Sequence, residues 1–399
     1  MQSTLTSRQA ADGGTLVHEK NDSETKMISK LNVAAGLAVL LAACTPATEN
    51  DPAATKAAAE GQTFRLSVGA SHPTTLPWVG VISTHFVPEV SRRVEALGKG
   101  YSIEWQEAYG GQLYKANATL SSVADGIVDI GWVFSNLEGA KQPLSQVTIY
   151  APAVTDDPQL MMSVFNELND TVPALKDEWE RNNLVFLGAC SGDPYHMFTT
   201  FPLRSIADLA GRKISAPGVL ASWMRGTGAV AVGGAMTTYY TDMQTGLSEG
   251  ALSLTSGVMS IKLHEVAPYM AKVNLGATYF GALAINKNTW DRLPPEIRTI
   301  LKEVGREYSR KLGDAVMASY EQALEWMHEE GPKQQRAVSV IEWSRDERAA
   351  WVNAMPDIAA EWVAANEAKG LPAREVMKTY LTAMRERGAQ PLRNWDHGL

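Results

Sequence analysis

The sequence predicts an α/β fold with mostly parallel sheets, and three observations lead to it. From Phe64 onward, strand-like and helix-like segments alternate, the order that packs helices against a parallel sheet. The part able to fold, residues 63–399, is long enough for two lobes. One amphipathic pattern late in the chain is too long to belong to a single small domain.

In chain order, Phe64-Arg65-Leu66-Ser67-Val68-Gly69 alternates apolar and polar residues and reads as a strand. Residues 76–97 read as a helix entered through Pro77, a favoured first-turn residue. Residues 101–106 read as a second strand and 117–126 as a short helix stopped by Gly126. Residues 127–133 form a mostly apolar run suited to a buried parallel strand. A helix over 160–179, a strand from Leu184, a short helix at 205–208, a strand at 213–215 and a helix over 240–249 follow. From Glu296 to Glu330, Ile297, Leu301, Val304, Tyr308, Leu312, Val316, Tyr320, Leu324 and Met327 keep steps of three and four. Pro294-Pro295 opens this helix and Gly331-Pro332 closes it. At ~1.5 Å per residue it is about 50 Å long, enough to lie along both lobes.

Ahead of the folded part stands an export signal. Residues 27–44 read MISKLNVAAGLAVLLAAC. Lys30 supplies a positive start, residues 31–43 an apolar stretch too short to span a bilayer, and Leu41-Ala42-Ala43-Cys44 resembles a lipoprotein processing box. The Cys44 thiol is the expected site of lipidation, and Thr45 after it, where aspartate is absent, points to the outer membrane of a Gram-negative host. Residues 1–26 carry no export signal and read as a non-structural extension before a start at Met27. Residues 44–62, rich in Ala, Thr and Pro, read as a tether.

Composition is that of an ordinary globular protein, 45% hydrophobic and 20% charged. A net charge of −8 argues against a nucleic-acid surface. Cys190, the one cysteine after Cys44, has no internal partner for a disulfide. Metal-spaced clusters, a G-x-S-x-G elbow, a phosphate loop and a dinucleotide fingerprint are all missing from the sequence, so neither catalysis nor a cofactor is expected.

Five segments in order then carry a resemblance. They are Tyr109-Gly110-Gly111-Gln112-Leu113, residues 123–132 (VADGIVDIGW), 205–217 (SIADLAGRKISAP), 244–250 (QTGLSEG) and 283–297 (LAINKNTWDRLPPEI). Together with the long helix they resemble the periplasmic receptors of tripartite ATP-independent periplasmic (TRAP) transporters, the DctP-like proteins. The resemblance implies a two-lobed fold of the periplasmic-binding-protein type, crossing strands, a ligand cleft between the lobes and the long helix spanning both. One lobe is expected over 63–189 plus about 277–316, the other over 190–276 plus about 317–399. It also implies integral membrane subunits as partners and a small organic solute, by family habit an acid, as ligand. A ligand-sensing receptor and a carrier of a neutral, aromatic, cationic or hydrophobic compound are the alternatives.

The resemblance places a carboxylate-binding arginine directly after Lys213-Ile214, where this chain has Ser215. A second, earlier arginine corresponds to Tyr195, and an asparagine after the "DG" falls near Ser253. Arg204, Arg212 and Arg225 read as solvated, Lys115 as a residue of the cleft mouth. Aromatic residues are the stronger signal, because rings offer apolar area and a negative face. Trp78, Trp132, Tyr195, Tyr239 and Tyr279 are expected at the ligand, Trp223 and Phe280 in the core. His72 follows the first strand, where sites gather in α/β folds. Ser135, with Asn136, Thr255 and Ser256, is expected to supply polar contacts.

Overall fold

A computed structural model of the protein describes residues 61–335 and 337–399. The expected extension, export signal, Cys44 and nearly all of the tether fall outside the described residues. Eleven strands are described: β1 (Thr63–Gly69), β2 (Ser102–Ala108), β3 (Ile130–Val133), β4 (Leu184–Ser191), β5 (Tyr195–Thr199), β6 (Lys213–Ala216), β7 (Val230–Gly233), β8 (Gly250–Leu254), β9 (Tyr269–Lys272), β10 (Tyr279–Asn286) and β11 (Ser339–Glu342). They make two sheets, ordered β2-β1-β3-β10-β4 and β11-β9-β5-β8-β6-β7. We call the parts built on them the first and second lobes.

The sheets are mixed rather than mostly parallel. β1 runs parallel to β2 and β3, but β10 lies antiparallel between β3 and β4. In the second sheet β5 is antiparallel to β8 and β9, while β6 is parallel to β7 and β8. The odd strands are those beside the crossings. The chain passes from β4 to β5 through Gly192-Asp193-Pro194 and returns from β9 to β10 through residues 273–278. The two crossings bond to each other: Tyr195 N–H donates to Gly276 O (3.2 Å) and Leu275 N–H to Tyr195 O (3.1 Å).

The long helix is present as Pro295–Glu325 and continues through a π-helical turn, Trp326–Glu330. Gly331-Pro332 does not stop it; these residues open one more short turn, Gly331–Lys333, where proline tolerates the first helical positions. Its buried stripe runs from Ile297 through Tyr308 to Val316, and Ala323 extends it. In the first lobe the helix lies almost on the backbone of β4. A Cβ on Gly188 would meet the Gly305 carbonyl, and one on Gly305 the Leu187 carbonyl. Tyr308 donates to Trp78 O (2.7 Å), and further on Tyr320 stacks on His196 of β5. The helix expected over 76–97 is broken by a π-turn at Ile82–Phe86, and that over 160–179 divides at Pro173. The helix expected over 240–249 covers only Tyr239–Gln244, because Gly246 takes φ 74° and turns the chain into β8.

Three C-terminal helices, Arg345–Ala354, Ile358–Glu367 and Ala373–Glu386, wrap both lobes. Four indole N–H groups fasten this segment: Trp362 to Pro143 O and Trp395 to Pro152 O, Trp343 to Leu203 O and Trp351 to Trp223 O. The loop entered at Pro143 is itself held by a buried carboxylate. Glu178 accepts from Leu144 N–H (2.7 Å), Ser145 N–H (2.9 Å) and the Ser145 hydroxyl (2.6 Å). Burial pushes its carboxyl up to about 7.

A Glu178→Gln substitution should therefore destabilise the protein by about 2 kcal/mol, since its NH₂ would face a backbone donor in a buried site. The midpoint of urea unfolding reads this loss, with the slope unchanged.

Candidate ligand cleft

The C-terminal ends of β1, β3, β6 and β8 converge between the lobes, the place where α/β folds collect ligands. An enclosed cavity lies there. The first lobe contributes His72, Trp78, Trp132, Phe134 and Phe280. The second contributes Tyr195, Pro217, Met236, Tyr239 and Ser253, with Leu252 and Leu254 beside them. Its volume is about 20 Å³, room for one water molecule. Larger grooves of about 620 and 790 Å³ lie elsewhere, open to solvent and lined by charged residues such as Asp157, Arg310 and Arg348. They lack the apolar enclosure that a small-molecule site needs.

The small volume follows from closed lobes. Gly218, at φ 48°, seats its backbone on the Asn136 carbonyl, leaving no room for a Cβ. Ser260 donates to Thr75 O between the lobes (2.9 Å), and the Met236 and Leu76 side chains both close on Gly257. A ring-sized solute enters only when these contacts part.

The rings form one cluster. Trp132 stacks on Phe134 (5.2 Å between centroids), and Phe280 meets Trp78, Trp132 and Phe134 edge-on. His72 stands edge-on to Trp132 at 4.9 Å, with its Nδ1 2.9 Å from the Ser71 hydroxyl. Burial pushes its imidazole down to about 4, so it is neutral at pH 7. The Trp132 indole N–H faces the Cys190 sulfur without completing a hydrogen bond. On the second lobe the Tyr239 hydroxyl donates to Leu252 O (3.1 Å). The Tyr195 hydroxyl is flanked by Thr278 and Asn136, and burial raises its pKa. Neither neighbour completes its own bonding: Thr278 Oγ1 and both amide atoms of Asn136 are buried without a partner, as are Ser253 Oγ and Trp78 Nε1. A cleft wall with unfilled donors and acceptors can orient a solute.

Of the residues singled out from sequence, His72, Trp78, Trp132, Tyr195, Tyr239 and Ser253 are thus brought together. Ser135, Ser215 and Tyr279 are not among the lining. Ser135 and Tyr279 hydrogen-bond each other (3.0 Å), and Tyr279 stacks on Phe165 inside the first lobe. Ser215 turns its buried hydroxyl to Asp242 (3.5 Å). Thr255 and Ser256 donate their backbone N–H groups to Asp193 instead of facing the cavity. Trp223 is in the core as expected, donating to Ile149 O. Phe280 is buried in the core as well, yet it also lines the cavity, at the point where β10 pairs irregularly with β4 between Tyr279 and Gly281. Sequence reasoning also missed Phe134 and Met236. Phe134 had a signal, lying two residues after Trp132.

Among the described residues, no cluster of His, Cys, Asp or Glu is disposed to hold a metal, and no helix is long and apolar enough to cross a membrane. The family model for bacterial extracellular solute-binding protein, family 7 (DctP), matches residues 98–366, about two thirds of the chain. The chain belongs to this family. The DctP C4-dicarboxylate-binding periplasmic protein of Rhodobacter capsulatus is 31% identical over 158 residues, 39% of this chain and 45% of that protein, so the match spans less than half of that relative. A solute-binding protein of Albidiferax ferrireducens is 22% identical over 62% of this chain and 73% of its own length. Among solved structures, a TRAP solute-binding protein of Rhodoferax ferrireducens in complex with copurified benzoate superposes with TM-score 0.70 at 19% identity, covering 81% of this chain and 98% of that one. A marine-metagenome TRAP protein specific for aromatic acid ligands, bound to metahydroxyphenylacetate, gives 0.68 at 19% identity, covering 82% and 99%. At such identities the likeness shows the fold, which is that of the two-lobed TRAP receptors.

His72 makes the cleft sensitive to acid. Its folded pKa lies below its ordinary 6.5. Between about 6.5 and 4 the unfolded chain therefore binds a proton that the folded one does not, and stability falls as pH falls through that window. Relative to wild type, His72→Gln should lose about 2 kcal/mol less stability between pH 7 and pH 5. Urea titrations of both proteins at the two pH values measure the difference.

Proposed function

We propose that the protein is the extracytoplasmic receptor of a TRAP-type importer. It closes on a small organic solute in the aromatic cleft and presents the closed form to integral membrane subunits. The enclosed cavity at the converging strand ends, ringed by aromatic side chains of both lobes, is the observation that carries this reading. Family membership supports the receptor role, and the two crossings with the long helix supply a hinge. Two structural relatives hold aromatic acids, which supports a ring-bearing solute here.

His72, Trp78, Trp132, Tyr195, Tyr239 and Ser253 are proposed as ligand contacts. Ser135, Ser215 and Tyr279 are proposed as supports that fix those contacts from behind. Localisation is proposed to be periplasmic, on a membrane-facing tether lipidated at Cys44. The lobe boundaries expected from sequence are kept as a proposal up to about residue 316; the C-terminal helices, expected in the second lobe, also fasten to the first through Trp362 and Trp395.

A thermal-shift screen of the full chain against acids, amines and neutral aromatics tests the receptor role, since a solute that binds only the native state raises Tm. At least one compound should stabilise the protein at millimolar concentration; a flat response across all three classes would sink the reading. For the anchor, Cys44→Ser should abolish incorporation of labelled fatty acid and move the protein from the membrane to the soluble fraction. Unchanged fractionation would refute lipidation at this residue.

A further inference from the structure

The charge of the solute is written into what surrounds the cleft. No Lys or Arg lines the cavity, and its one basic side chain, His72, is neutral. Two carboxylates stand behind the second-lobe wall instead. Asp193, fully buried two residues before Tyr195, accepts Thr255 N–H (2.7 Å), Ser256 N–H (3.3 Å) and the Ser256 hydroxyl (2.5 Å). Asp242 follows Tyr239 by three residues on the same helix and accepts from Thr238 Oγ1 (2.8 Å) and Ser215 Oγ (3.5 Å). A Cβ built on Gly234 would meet both Asp242 Oδ2 (3.0 Å) and Tyr239 Cε1 (3.2 Å), so the carboxylate and a cavity-lining ring border the same glycine, with Asp242 itself set behind the lining. Among the described residues neither aspartate has an ion-pair partner from Lys or Arg.

An anionic solute would meet no cation here. It would lose its hydration, face two like charges and find only neutral donors, a combination that buried ions avoid. A cation would gain the ring faces and the field of both carboxylates. The position that the resemblance assigns to a carboxylate-binding arginine is Ser215, and the group it touches is a carboxylate.

We propose that the cleft takes a small organic cation, an amine or quaternary ammonium on an apolar or aromatic body, with Asp242 as its specificity-determining charge and the unpartnered Ser253 hydroxyl as a polar contact. This rests on the receptor reading given above and names its substrate class.

Calorimetry on the purified full chain with three matched probes tests it: benzyltrimethylammonium, phenylacetamide and phenylacetate. The cation should bind on the order of tenfold or more tighter than phenylacetate. In Asp242→Asn, a near-isosteric change, its affinity should fall on the order of tenfold while phenylacetamide changes less than about twofold. Phenylacetate binding tightest in the wild type would overturn the inference while leaving the receptor reading intact. So would a folded Asp242→Asn protein with undiminished affinity for the cation. Binding of none of the three, together with stabilisation by some acid in the broad screen, would also overturn it; failure of the whole screen would instead remove the receptor reading.

Discussion

The double crossing between the sheets is the constraint on which the remaining architecture rests. Gly192-Asp193-Pro194 and residues 273–278 carry the chain between lobes in opposite directions, and the backbone bonds of Tyr195 with Gly276 and Leu275 lock the two passes together. Tyr195 is thereby fixed at the cavity, since its N–H and C=O are both spent on the opposite crossing. The antiparallel character of β5 and β10 follows, because each belongs to a strand pair that meets at the hinge. The long helix then has one course open to it, along β4 in the first lobe and past β5 in the second.

Within that frame, charge and burial are kept apart with some care. Each fully buried carboxylate described above has a local set of donors: Glu178 holds Leu144 and Ser145, and Asp193 holds Thr255 and Ser256. These bonds offset part of the desolvation of the charged form, though burial still raises both pKa values, Asp193 to about 6. The histidines move the other way, with His196 pushed down to about 3 by burial and by the nearby charges of Lys272 and Arg348. As pH rises from about 4 to 7, the acids' contribution to stability falls and the histidines' contribution grows, so the two oppose each other.

What the sequence made legible was whatever has a local period. The long helix announced itself by its steps of three and four, and β1 by its alternation. β5, β8 and β10 are buried at every residue and have no polar face to mark a pattern, whereas β3, equally buried, showed as the apolar run at 127–133. The antiparallel crossings are invisible for a different reason: strand direction is set by partners far away in the chain. At the cleft, the aromatic residues singled out from sequence divide: Trp78, Trp132, Tyr195 and Tyr239 line the cavity, while Tyr279 stacks on Phe165 inside the first lobe. Tyr279 and Phe280 are neighbours with different duties, and they part where the pairing of β10 with β4 is irregular, between Tyr279 and Gly281. Ser215 stood out because an arginine was expected there, yet its meaning came from Asp242, a residue on a separate helix.

The place of β10 in the first sheet has a consequence for how the molecule comes into being. This strand is the inner partner of both β3 and β4, yet it is made only after the whole second sheet except β11. Until Asn286 emerges, β3 lacks one neighbour and β4 has none, so the first lobe cannot complete its sheet from residues already synthesised. Pairings this distant in sequence form slowly, because loop closure comes before any contact rewards it. A chain with its keystone strand placed so late stays loose while it lengthens. For the exported receptor proposed above, that order keeps the chain loose enough to thread a translocation channel before it settles into a compact shape.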